Sequence, residues 1–162
     1  MGARRAARGP MTKLEREIEI EAPPDRVYDV LADPTCLGDW VTIQEELEEA
    51  PKGDLKEGST LRQRMKVAGR RFRLSWTVIE AVRPSRIVWE GHGPMGSTAK
   101  AIYKLSGNND GGTKFSYLNE YGLPGGVAGR LAGRAILAAS GREADRTLKR
   151  LKKLVEGKSA TT

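Results

Sequence analysis

Cysteine and histidine are nearly missing from the 162 residues: Cys36 and His92 are the single representatives of each. One thiol excludes an internal disulfide. One imidazole excludes the common His-cluster metal sites and makes any His-based triad depend on His92 alone. No apolar run approaches the roughly 20 residues that a spanning helix needs. Proline is missing from Gly125 to Glu156, so that stretch is free to form one long helix. What is present is ordinary in bulk. Hydrophobic residues make up 38%, and the 19 Gly raise this to the apolar share of a globular chain. The length fits one domain whose core needs no staples.

Charge is uneven. Lys and Arg number 28 against 21 Asp and Glu, a net +7. The opening MGARRAARGP carries Arg4, Arg5 and Arg8 and no acid, and Met11 offers an alternative start. No apolar segment follows it, so it reads as a loose basic tail (residues 1–12) rather than a secretory signal, and the location expected is cytoplasmic. A second basic cluster comprises Arg142, Arg146, Lys149, Arg150, Lys152, Lys153 and Lys158. An acidic patch comprises Glu45, Glu46, Glu48, Glu49, Asp54 and Glu57. A basic stripe can bind nucleic acid or an anionic membrane, but the ordinary reading is the solvated face of a helix.

In KLEREIEIEA, Lys13 to Ala22, Leu14, Ile18 and Ile20 share one parity and Glu15, Glu17, Glu19 and Glu21 the other, which predicts a strand with one wet face. Pro23-Pro24 ends it. A short helix is expected over Pro24–Ala32, and a second over Pro34–Trp40. Six further strands follow: Thr42 to Glu49, Ser59 to Ala68, Arg71 to Val82, Arg86 to Gly91, Thr98 to Ser106 and Thr113 to Leu123. Gly69-Arg70 is expected to turn the second of these into the third, and Asn108 to Gly112 the fifth into the sixth. The last segment predicts a helix to Glu156, stopped at Gly157 and open to a bend at Gly141. Its second half carries Leu148, Leu151, Leu154 and Val155 at helical spacing. Its first half is small: Gly129, Ala132, Gly133, Ala135, Ala138, Ala139 and Gly141. Glycine costs up to about 1 kcal/mol per helical site relative to alanine, so close packing or ligand space must offset it.

Phe72, Trp76, Trp89, Tyr103, Phe115, Tyr117 and Tyr121 all fall on the parity assigned inward. Opposite a thin helix half, these rings predict an apolar cavity with a few polar groups, the usual form of a small-molecule site. Gln63 and Asn119 share that parity. Their amides need partners when buried: each other, water or a ligand.

The segments EREIEIEAPPDRVYDVLADP…W, VIEAVRPSRIVWEG and GGTKFSYLNEYGLPGGVAGRLAG…LKRLKKLVE resemble the polyketide cyclase/dehydrase and lipid-transport family of the START-like (pollen-allergen-like) superfamily. The resemblance spans about residues 13–156. It implies an α+β helix-grip fold: a curved antiparallel sheet of about seven strands, in the order β-α-α-β6-α, wrapped round a long C-terminal helix. The domain expected is 13–157, with a short tail at 158–162. It further implies a cavity that takes apolar ligands. Trp40 matches the aromatic near the cavity mouth of relatives, and Asn119 falls where relatives more often carry an apolar residue. The candidate ligand contacts are Trp40, Leu61, Gln63, Met65, Phe72, Leu74, Trp76, Trp89, Tyr103, Phe115, Tyr117, Asn119, Leu131 and Ala135.

Three functions follow as expectations. The first is a non-catalytic carrier or sensor of an apolar small molecule. The second is a polyketide aromatase/cyclase or dehydrase, which needs an acid or base within reach. Its candidates are Tyr103, Tyr117, His92 and Arg134, with Tyr121 beside them. They are thin, because His92 has outward parity and inward tyrosines are mostly core. Cys36 has no evident base and reads as a structural thiol. The third is an electrostatic module for acidic partners through the basic helix. No metal or cofactor is implied, and GGVAGRLAG lacks the Lys-Ser/Thr of a nucleotide loop. Nucleic acid is not an expected partner, an anionic membrane surface is the alternative, and monomer or homodimer stays open.

Overall fold

A computed structural model describes the backbone of residues 11–122 and 127–160, and the side chains of 12–122 and 138–157. The element order is β1 (Met11–Ile20), α1 (Pro24–Ala32), a 3-10 turn (Pro34–Cys36), α2 (Leu37–Trp40), β2 (Gln44–Glu49), β3 (Thr60–Val67), β4 (Arg70–Val82), β5 (Arg86–His92), a second 3-10 turn (Pro94–Gly96), β6 (Thr98–Gly107), β7 (Thr113–Gly122) and α3 (Val127–Ala160).

Seven strands form one antiparallel sheet in the order β1-β7-β6-β5-β4-β3-β2. Alternation fixes which face is dry. On β3, Leu61, Gln63, Met65 and Val67 are buried, while Thr60, Arg62 and Lys66 face water and Arg64 is half-buried. Register shifts at Gln44/Glu46, Leu47/Glu49 and Val78/Glu80 insert bulges that help the sheet curve. On its outer face, Glu45, Glu46, Glu48 and Glu49 pair with Arg62, Arg64, Arg71 and Arg73 at 2.8–3.5 Å. Four of the six acids of the patch are thus paired with neighbouring strands.

The α1 helix buries Val27, Tyr28, Val30, Leu31 and Ala32. Asp33 ends it and starts the next turn, its Oδ1 accepting from the Thr35 amide at 2.9 Å. The α3 helix packs on β1 and α2 and buries Leu148, Leu151 and Val155 against the core.

Three boundaries depart from expectation. Met11 and Thr12, placed in the tail (residues 1–12), already belong to β1 and pair with Gly122 and Tyr121 of β7. The β3–β4 turn is Ala68-Gly69, because Val67 pairs with Arg70. Both turn residues hold positive φ, 51° and 77°, as the favoured two-residue hairpin turn requires. Gly157 does not stop α3. It stays helical without the left-handed φ of a terminating glycine, and the helix reaches Ala160.

Candidate functional site

A cavity of about 400 Å³ lies between the concave face of the sheet and α3. From β3 it is lined by Leu61, Gln63 and Met65, and from β4 by Phe72, Leu74 and Trp76. Trp89 enters from β5, Tyr103 from β6, Tyr117 and Asn119 from β7, and Trp40 from α2. These eleven expected contacts come together as one lining. Trp40 is 1% exposed and meets Tyr103 edge-on at 6.2 Å, so it is interior wall rather than rim. Phe115 is the exception. It is fully buried behind Tyr103, ring centroids 5.6 Å apart, and belongs to the core beneath the cavity. The side chains of Leu131, Arg134 and Ala135, and of Gly129 to Gly133, lie outside the described residues.

The sheet itself makes part of the hollow, and strand register explains how. One row across it runs Trp76, Gly91, Ala99, Tyr121. The next runs Val78, Trp89, Ala101, Asn119, Leu14. In both rows the middle positions are Gly or Ala while the flanks carry large side chains. Ala99 and Ala101 line the cavity floor between walls of indole and phenol. The helix contributes Ser140, Ala144 and Thr147 to the roof. At Gly141, of the two expected reasons for a small residue, close packing rather than ligand space applies: it admits Arg16 of β1. A Cβ there would stand 3.0 Å from the guanidinium, which goes on to bond Asp145 at 2.9 Å.

Few polar groups interrupt the lining. Gln63 and Asn119 do not pair with each other. Gln63 Nε2 donates to Gln44 Oε1, and Asn119 Nδ2 donates to the Tyr117 hydroxyl at 2.7 Å. Among the described residues, the indole nitrogens of Trp40, Trp76 and Trp89 and the Asn119 carbonyl oxygen are buried with no hydrogen-bond partner. Burial pushes the phenols of Tyr103, Tyr117 and Tyr121 above their ordinary value. For Tyr103 and Tyr121 the charge of neighbouring phenols adds to the rise, whereas for Tyr117 hydrogen bonds from Asn119 and Tyr121 oppose it. These hydroxyls therefore stay protonated at neutral pH. They can donate a hydrogen bond to a developing oxyanion but cannot act as bases.

A strap closes one side. Val41 and Ile43, between α2 and β2, face the cavity. Thr42 between them is bonded to α3: its amide donates to Thr147 Oγ1 at 3.1 Å, and its hydroxyl to Glu143 Oε2 at 2.5 Å. Glu143, Ala144 and Thr147 are lining residues that sequence reasoning missed, as are Val41, Ile43, Ala99 and Ala101. The inward parity of the two alanines was the available signal. At the opposite rim, Met95 is 87% exposed beside Arg70 and Arg71.

His92 ends β5, outside the lining, with an exposed side chain; it is a strand residue rather than part of a loop. Cys36 is buried, 3.4 Å from Asp33 Oδ2. On the basic helix, Arg142, Lys149, Arg150 and Lys153 are exposed, Arg146 pairs with Glu143 and Lys152 with Glu156. The Lys158 side chain lies outside the described residues. Among the described residues there is no cluster of three metal-ligating side chains, and no helix is long and apolar enough to cross a membrane.

A family model for polyketide cyclase/dehydrase and lipid transport matches residues 11–156, and the chain belongs to that family. Toxin Rv0910 of Mycobacterium tuberculosis (strain ATCC 25618 / H37Rv) is 26% identical over 101 residues, 62% of this chain and 70% of that protein. Among solved structures, the Zhui aromatase/cyclase from Streptomyces sp. R1128 superposes with a TM-score of 0.72 at 18% identity, over 91% of this chain and 94% of that one. A Staphylococcus aureus protein of unknown function, SA2116, gives 0.74 at 14% identity, over 93% and 97%. At these identities the structural likeness speaks for the fold, which is the helix-grip arrangement.

Proposed function

We propose that this member of the polyketide cyclase/dehydrase and lipid-transport family binds an apolar small molecule between sheet and helix, as a cytoplasmic carrier or sensor. One observation carries the reading: a cavity of about 400 Å³ opens between sheet and helix, walled mostly by indoles, phenols and aliphatic side chains, with the exposed Met95 at its rim. Native interiors close-pack and leave few voids larger than a water. A hollow of this size is ligand-sized, and its scarcity of polar groups suits a lipid, a polyketide-like or another aromatic compound. The test is a thermal-shift and native mass-spectrometry screen across lipids, sterols and polyketide-type aromatics. A one-to-one complex and a raised melting temperature with at least one class are expected. No complex and no shift across the panel would overturn the reading.

A second reading, an aromatase/cyclase or dehydrase working in the same cavity, is favoured by one feature. The Tyr117 hydroxyl, fixed by Asn119, sits in the lining where it can hold a carbonyl or enolate oxygen. It predicts turnover of a linear poly-ketone that Tyr117→Phe slows without abolishing binding. Binding with no turnover would leave the carrier reading alone.

A further inference from the structure

This inference rests on the cavity being a ligand site and concerns what the ligand must carry. Asn119 lines the cavity and is 7% exposed. Half of its amide is satisfied, because Nδ2 donates to the Tyr117 hydroxyl. The other half is not: the carbonyl oxygen Oδ1 is buried without a partner. Among the described residues none is supplied: the nearby Tyr117 and Tyr121 phenols accept from the amide nitrogen side of Asn119. In its row across the sheet, Asn119 is flanked by Leu14 on β1 and Ala101 on β6, neither with a polar side chain. The strand amides nearby are committed to the antiparallel ladder. A buried acceptor left unfilled is costly and uncommon in native interiors.

The floor beside it is open. Ala101 separates Asn119 from Trp89 in the same row. Two strand spacings put those residues about 10 Å apart, with only a methyl group between them. A planar ring system lying over Ala101 meets the Trp89 indole at one edge and the Asn119 amide at the other. The Trp89 indole N–H is itself buried and has no partner among the described residues.

We infer that Asn119 is a specificity-determining residue, and that the ligand is an apolar ring compound bearing a hydroxyl or N–H donor that the Asn119 carbonyl accepts. An all-hydrocarbon ligand, or an acyl chain, leaves the acceptor unfilled. A hydroxylated ring fills it and is preferred although its hydroxyl costs more to desolvate.

The experiment compares three probes by fluorescence titration: 2-naphthol, its isostere 2-methylnaphthalene, and the slightly larger 2-methoxynaphthalene. The wild-type protein should bind 2-naphthol about tenfold more tightly than the methyl compound, with no such gain for the methoxy compound, which accepts but cannot donate. Asn119→Leu should abolish or reverse that order while still binding 2-methylnaphthalene, which shows its cavity intact. Asn119→Val is read by the same order should the longer leucine fill the hollow. Equal or weaker binding of 2-naphthol to the wild type, an unchanged preference in the variants, or an equal gain for the methoxy compound would each overturn the inference. Binding of 2-methylnaphthalene without preference removes this inference and leaves the cavity reading standing. Binding of none of the three removes this inference, and the cavity reading falls with it only if the wider lipid, sterol and polyketide panel also fails to bind.

Discussion

The indole of Trp76 lies across the α-carbon of Gly91 on the neighbouring strand: a Cβ built on Gly91 would stand 2.8 Å from ring carbon Cε3. Glycine is needed there for space rather than for a special backbone angle. Without it, the ring cannot lie flat on the sheet and must rise into the cavity that it lines. Gly91→Ala should therefore lower stability by about 1–3 kcal/mol, the usual cost of overpacking, and weaken ligand binding together with it. Thermal unfolding and titration with an aromatic probe check both. Full-strength binding in a destabilised variant would mean that Trp76 moved elsewhere than into the cavity.

The Thr42 hydroxyl holds the strap to α3 through Glu143 and Thr147, while Val41 and Ile43 on either side of it face the ligand space. Thr42→Val keeps the shape and the amide bond to Thr147 but removes the hydroxyl's hydrogen bonds. It should cost about 1–2 kcal/mol, since Glu143 and Thr147 lose a partner in a half-buried place. If ligands pass beneath the strap, release should also accelerate, while Gly91→Ala should act chiefly on affinity. Stopped-flow displacement of a fluorescent probe separates the two. An unchanged release rate with reduced stability would put the ligand route elsewhere, such as the rim at Met95.

Strand alternation made the sheet legible, because period 2 is decided residue by residue. The inward rings and Gln63 and Asn119 all stand where parity puts them. Gly157 misled because a glycine can also sit inside a helix, and only its φ decides. Gly141 left two readings open, close packing or ligand space, and packing is the one that applies. Sequence showed that it was small but not that Arg16, on the inward parity of β1, would take up the space. The cross-sheet rows of Gly and Ala were hidden because they depend on register, which pairs Trp89 with Ala101 and Ala101 with Asn119 across segments far apart in the chain. The partners of the two amides were hidden likewise: Gln44 and Tyr117 can be named only once strands are laid side by side.

Alkaline pH should unfold this protein with an unusual signature. All four tyrosines, Tyr28, Tyr103, Tyr117 and Tyr121, are held above the ordinary phenol value, in each case first by burial. In the unfolded chain a phenol ionises near about pH 10. Below that value both states are protonated and the stability is fully present. As pH rises through it toward the folded values, the unfolded chain alone releases protons and stability falls. Tyrosinate absorbance should stay low past the ordinary phenol range and then rise together with loss of the circular-dichroism signal. A smooth phenol titration near its ordinary value in a still-folded protein would contradict the burial of this cluster.

Ala101 gives the sharpest test of the hollow, because the sign of the result decides. It stands between Trp89 and Asn119 in its row, 4% exposed, with its methyl group on the cavity floor. Ala101→Leu adds three carbons at that point. Were the rings packed against one another there, the larger side chain would force strained rotamers and cost about 1–3 kcal/mol. Where space is open, it buries new apolar surface without strain. Stability should then hold or rise by about 0.5–2 kcal/mol, as filled cavities commonly do. The same carbons occupy the ligand's place, so probe binding should fall by at least about tenfold, the equivalent of roughly 1.4 kcal/mol. Thermal unfolding and titration on one preparation read both quantities. A more stable protein that no longer binds is the outcome that only a ligand-sized cavity predicts. A destabilised protein that binds normally would mean that ligands lie away from the Ala101 floor.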